Sequence, residues 1–184
     1  MGKIKLGSIY LGKDVQTPGF ACTGGELVCF TDAANTEIRL GDTVPGRELQ
    51  WVQDGSMLVA DRCVCTAISW DALNRLGYIF GVPVNIDGKA YRCRSLKIGA
   101  TLGGPNEWVS LLARHGASND LWHWERMYFW GQEVPATKPN RRQIHRDSYR
   151  VVRGFYSARA WDCNLTTNQG VFVGFRPVLE PIAS

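Results

Sequence analysis

The run Arg150-Val-Val-Arg-Gly-Phe-Tyr-Ser-Ala-Arg159, followed after a polar stretch by Val171-Phe-Val-Gly-Phe-Arg-Pro-Val-Leu179, decides how this chain is read. In the second segment Val171, Val173, Phe175 and Leu179 fall at alternate positions and so share one face of a strand. Gly174 lets another backbone or a large ring approach closely. Pro177 has no N–H to give to a ladder and predicts an edge or a bulge. Arg176 falls on the face opposite Phe175. Set among Phe, Gly and Pro, it reads as a partly buried arginine paired through its planar fork. Between the two segments lies a polar loop with Asn164, Asn168 and Gly170.

The chain has 184 residues, 45% of them hydrophobic. One domain with an ordinary core is the default, and two small ones are also possible. No stretch reaches the roughly 18 apolar residues needed to span a bilayer, so membrane insertion is not expected. Met1-Gly-Lys-Ile-Lys-Leu-Gly7 lacks the apolar region of a signal peptide. Leu6 stands where a myristoylation signal has Ser or Thr.

Cys22, Cys29, Cys63, Cys65, Cys93 and Cys163 include no C-x-x-C pair. Without export the compartment is reducing, and buried free thiols are expected. Cys63-Val-Cys65 sits in an apolar, strand-like run that puts both thiols on one face. His115, His123 and His145 add no zinc spacing.

The net charge of +4 is mild but unevenly placed. Lys138, Arg141, Arg142, Arg146, Arg150 and Arg153 crowd together, with Asp147 the opposing charge. Such a cluster is either a solvated basic loop or a site for phosphate or another anion. It is too short and too local to argue for a nucleic-acid protein.

Local signals organise the rest. Leu49, Trp51, Met57 and Val59 flank Asp54-Gly55, and Val82, Val84, Ile86 and Tyr91 flank Asp87-Gly88; both predict hairpins. Ser69 caps a helix over Trp70 to Gly77. Pro105-Asn106 starts another, in which Trp108, Leu111, Leu112 and His115 recur at helical spacing before Gly116. Two short helices among many strands give an α+β fold. In Leu121-Trp-His-Trp-Glu-Arg-Met-Tyr-Phe-Trp-Gly131 the rings either fill a core or stack on a ligand, and the apolar neighbours favour the core.

The order of these pieces resembles the formylglycine-generating-enzyme-like (sulfatase-modifying factor) superfamily, which has a C-type-lectin-like fold. Ile68-Ser-Trp-Asp-Ala72 is similar to its helix start. Tyr91-Arg-Cys-Arg-Ser95, Pro105-Asn-Glu-Trp108 and Ala113-Arg114 are similar to its central stretch. Arg153-Gly-Phe155, Ala158-Arg159 and Gly174-Phe-Arg176 are similar to its ending. The likeness runs over roughly residues 66–180. Gly174-Phe-Arg-Pro-Val-Leu179, Trp124 and Trp130-Gly-Gln-Glu133 look most like phage- and prophage-encoded relatives. The resemblance implies a lectin-like domain over 61–184 with an N-terminal β extension over 1–60.

The enzymes of that superfamily carry two copper-binding cysteines, one just before a motif that here reads Phe155-Tyr-Ser-Ala-Arg159 and has none. Cys163 follows with no partner cysteine near it. A thiolate copper site needs two soft ligands on one metal, so neither the oxidase chemistry nor a cofactor is carried over. G-x-S-x-G, the phosphate-cradling glycine loop and H-E-x-x-H are also missing from the sequence, and no catalytic residue is expected. Glu107 reads as a helix N-terminal carboxylate.

The reading is a non-enzymatic binding protein of phage or prophage type. It would present the loops 132–150 and 161–171 from a rigid scaffold. Its expected contacts are Arg141, Arg142, His145, Arg146, Trp161, Asn164, Asn168 and Gln169. The expected partner is a host protein or an anionic small molecule in the bacterial cytoplasm, met in countering host defence. One alternative is a virion component that touches a host surface receptor. Another is a divergent copper-dependent oxidase using Cys63, Cys65 or Cys93. A homo-oligomer remains open.

Overall fold

A computed structural model describes residues 2–16, 37–136 and 146–183. Three sheets carry them. The first has six strands in the order β1 (Ile4–Lys5), β5 (Gln50–Asp54), β6 (Met57–Ala60), β14 (Pro177–Pro181), β9 (Lys89–Ser95) and β8 (Val82–Ile86). The second has five: β12 (Trp161–Leu165), β11 (Tyr149–Gly154), β10 (Tyr128–Trp130), β13 (Val173–Phe175) and β7 (Cys65–Thr66). The third joins β3 (Asp14–Val15), β2 (Ser8–Leu11) and β4 (Ile38–Gly41). Among these strand pairs β10–β13 is parallel and the rest are antiparallel. Helices α1 (Trp70–Arg75), α2 (Glu107–His115) and α3 (Asn119–Trp122) complete an α+β fold.

The local signals act as expected. The Ser69 side chain accepts the Ala72 N–H and starts α1. Asn106 accepts the Val109 N–H, and Gly116 at φ 83° ends α2. Asp87 and Gly88 both take positive φ, the pattern of a type I′ hairpin turn between β8 and β9. Three helices form rather than two. The extra one, α3, spans four residues behind the Ser118 cap and is too short to show a period.

The closing segment is not one strand. β13 and β14 part at Arg176 and enter different sheets. Pro177 marks neither an edge nor a bulge. It is the first residue of an internal strand, paired with Ser95 on one side, while pairing with β6 begins at Val178. Gly174 does allow a close approach, because a Cβ there would run into the Cys65 carbonyl oxygen.

Strand alternation sends neighbouring side chains into two cores. Trp130, Phe175 and Leu179 join one with Trp51, Trp70 and Tyr78. Phe129 and Val178 join the other with Trp108 and Trp122. The aromatic run therefore supplies core, with Trp122, Phe129 and Trp130 fully buried. Cys63 and Cys65 do not share a face. Cys63 precedes β7 and packs in the second core, whereas Cys65 packs in the first. β5 and β6, on the N-terminal side of the boundary expected at residue 60, are strands of the same sheet as β8, β9 and β14.

Three buried arginines tie the sheets to the loops. Arg176 lies over the Phe129 ring at 4.6 Å, and its fork donates to the Ala60 and Trp122 carbonyl oxygens at 3.1 and 2.6 Å. The fork serves backbone oxygens rather than a carboxylate. Arg153 donates to the carbonyl oxygens of Ile98, at 3.0 and 3.1 Å, and of Arg159. Arg94 holds Glu107 and Glu180, so Glu107 anchors the start of α2 to β9 and β14.

Candidate functional site: an aromatic end of the five-stranded sheet

β10 and β13 begin, and β11 ends, at one end of the five-stranded sheet, where Tyr128 pairs with both Gly154 and Val173. Backbone bonds lock this end. The Tyr128 N–H donates to Phe172 O at 2.8 Å, Arg126 N–H to Phe155 O at 2.9 Å, and Phe155 N–H to Trp124 O at 2.9 Å. Gly154 must be glycine here, because its φ is +102° and a Cβ would strike the Met127 carbonyl oxygen.

Among the described residues, five other than glycine take positive φ. Asp87 sits in a hairpin turn and His123 is the left-handed cap of α3. The other three belong to this end: Arg126 at 55°, Phe155 at 74°, and Ala67 at 54°, which follows the Thr66–Gly174 pair opposite the start of β13. Such conformations cost on the order of 1–3 kcal/mol each and cluster where a surface has a task.

The strain presents rings. Tyr128 and Phe155 stack with centroids 4.9 Å apart. Tyr156 and Phe172 meet Phe155 at 68° and 89°, with centroids at 4.8 and 6.0 Å. Tyr156 is 79% exposed and Phe172 53%, with Val171 exposed beside it. Rings of this size left in water together mark an interaction surface. The exposed Asp162 carboxylate stands 3.5 Å from the Tyr128 hydroxyl. Burial, with the negative neighbours Asp162 and Tyr156, pushes that phenol up to about 12.

Of the residues expected from sequence the structure describes Arg146, Trp161, Asn164, Asn168 and Gln169. Arg141, Arg142 and His145 lie outside the described residues, and Arg146 opens a 3-10 turn over Arg146–Ser148. Trp161 is half-buried and donates to Gly99 O at 3.1 Å. Ala136, just before the basic loop, donates its N–H to Ala100 O, next in sequence to the Gly99 that Trp161 bonds. Residues 161–165 are strand rather than loop, and Asn164 and Trp161 stand at opposite ends of β12, about 10 Å apart at about 3.3 Å per residue.

The polar side chains there serve their own backbone. β12 is the outer strand of its sheet. Asp162 accepts the Cys163 N–H at 2.8 Å and Asn164 the Leu165 N–H at 3.0 Å, which quiets donors an open edge would leave bare. Asn168 accepts the Gly170 N–H at 2.7 Å, and Gln169 is exposed. Within the basic cluster, Arg150 lies 4.1 Å over the Trp70 ring and Arg153 is buried, so both are framework.

Other polar groups are also framework. Asp54 accepts a bidentate pair from Arg114, at 2.7 and 2.6 Å, and lies 2.9 Å from His115 Nε2, which pins α2 to the β5–β6 hairpin. Asp61 is buried beneath Lys3, Arg62 and His123. Cys93 is fully buried, which pushes its thiol far up. Among the described residues no three His, Cys, Asp or Glu side chains gather as metal ligands. No helix among them is long and apolar enough to cross a membrane.

Sequence reasoning missed Phe155, Tyr156 and Phe172 as surface. The available signal was an aromatic pair, Phe155-Tyr156, and an apolar pair, Val171-Phe172, each directly after a glycine. Comparison with family models, with curated proteins and with solved structures finds no match.

Proposed function

We propose that this chain is a non-catalytic binding protein that engages a protein partner through the aromatic end of its five-stranded sheet. The observation that carries the reading is the exposure of Tyr156 and Phe172 against Phe155, whose own backbone is held in a left-handed conformation. The motif order supports a C-type-lectin-like scaffold of the phage and prophage type, and a host protein in the bacterial cytoplasm as partner. The basic loop stem lies beyond Trp161, where it would frame a second part of the same contact or hold an anion.

The test is capture from bacterial lysate by the tagged full chain, quantified by mass spectrometry. The partner retained by the wild type is lost from Tyr156→Ser/Phe172→Ser, while Arg141→Ala/Arg142→Ala/Arg146→Ala weakens it less. Undiminished capture by the double variant overturns the reading.

A further inference from the structure

We propose that the aromatic end recognises a cationic group, an arginine or lysine side chain of the partner, seated against Tyr156 and Phe172 and answered by Asp162. The inference rests on the binding reading above and adds what the partner must present.

Some carboxylates of this chain are neutralised internally. Asp54, Asp61, Glu107 and Glu180 each face an arginine of the same chain. Asp162 is exposed and differs from all four. Its side-chain contacts are the Cys163 N–H and the Tyr128 hydroxyl, and among the described residues no lysine or arginine pairs with it. Among the described residues it is thus a carboxylate without a basic partner, set against the Tyr128 hydroxyl of the aromatic cluster.

The rings add to the same field. The face of an aromatic ring is the negative part of its quadrupole, and a cation within about 6 Å of the centroid is attracted to it. Tyr156 and Phe172 stand at steep angles to Phe155 rather than forming one flat apolar face, so their faces turn in different directions. The chain already uses this contact inside itself. Arg39 lies 4.2 Å over Tyr10, Arg150 lies 4.1 Å over Trp70, and Arg176 lies 4.6 Å over Phe129. At the aromatic end Asp162 has no ion pair with a lysine or arginine among the described residues, and the Tyr156 and Phe172 rings are open to a cation of the partner. An arginine would add a planar fork for Asp162 and a stacking face for the rings.

Charge and shape are separated by titrating the full chain with choline and with 3,3-dimethylbutan-1-ol, which has the same shape without the charge. Binding is followed by NMR at the ring signals of Tyr128, Phe155, Tyr156 and Phe172. Choline shifts the Tyr156 and Phe172 signals at concentrations about fivefold lower than the neutral alcohol, as expected for exposed cation–π contacts. Asp162→Asn narrows that preference to what the rings alone supply and leaves the alcohol unchanged; a preference that Asp162→Asn does not narrow overturns the role given to Asp162. Asn keeps the oxygen that accepts the Cys163 N–H, so the variant retains the edge of β12. Equal binding of the two probes, or binding of neither, overturns the inference. Equal binding leaves the docking surface standing, whereas unchanged lysate capture by the ring variants removes the surface itself.

Discussion

Replacing Asp61 by Asn tests a buried carboxylate that holds two cationic side chains. Asp61 is fully buried. Its Oδ1 accepts Arg62 Nε at 2.8 Å, and its Oδ2 accepts Arg62 Nη2 at 2.8 Å and Lys3 Nζ at 2.7 Å. Asn keeps the shape but removes the charge, and puts an N–H2 donor where one of the accepting oxygens stood. Breaking a buried pair by removing one partner costs about 3–5 kcal/mol, because the other charge stays behind. Lys3 is 22% exposed and water relieves part of its share, so the lower half of that range is expected, about 3 kcal/mol. At a urea slope of about 2 kcal/mol/M this lowers the unfolding midpoint by about 1.5 M.

The pH dependence has a definite sign. Burial pushes the Asp61 carboxyl up, but the bonds from Arg62, His123 and Lys3 outweigh it and hold the group far below the usual carboxylate range. A depressed folded value gives stability that is complete above the unfolded value of about 4 and is lost as the pH falls below it. The gap between wild type and Asp61→Asn stays constant from pH 7 to 5 and narrows by about 1 kcal/mol by pH 3. A gap under about 1 kcal/mol at pH 7, or one that does not narrow in acid, refutes the account of this cluster.

Two further outcomes follow from packing. Gly174→Ala costs about 1–3 kcal/mol in urea unfolding, since the obstructing atom is the Cys65 backbone oxygen and cannot rotate away; a loss under 0.5 kcal/mol, on the order of a surface change, would contradict it. In native alkylation followed peptide by peptide, Cys163, its thiol pushed up to about 11 by burial and by Asp162, reacts slowly and faster with rising pH, whereas Cys93 reacts only on unfolding; equal native rates would contradict the burial assigned to Cys93.

Much of the fold was legible because its signals are local. Ser69 and Asn106 cap helices from their own side chains, and Asp87-Gly88 sets its turn by backbone preference. What stayed hidden depends on distant partners. Alternation puts Val173, Phe175 and Leu179 on one face but does not say that two sheets share them. Arg176 reaches Ala60, 116 residues away in sequence, and no spacing rule reports a bond of that kind. The candidate site was harder still. Asn164 and Asn168 have the composition of ligand contacts and the geometry of backbone caps, which are the same residue types for the same reason, a short side chain with an oxygen. Trp130 and Tyr156 are both large rings in aromatic pairs, yet one is fully buried and the other almost bare.

That last contrast bears on what the aromatic end is for. Glycine at residue 155 would relieve the left-handed backbone at no steric cost, and polar residues at 156 and 172 would give up little core packing because both rings are mostly in water. A chain shaped by stability alone has those substitutions open to it. Instead a ring occupies the strained position and stacks on Tyr128, which sets the base against which Tyr156 and Phe172 stand. The backbone bonds at Tyr128, Arg126 and Phe155 then hold that arrangement against its own strain. Stability is given up at one sheet end, and what it yields there is an ordered set of exposed ring faces beside the exposed Asp162 carboxylate.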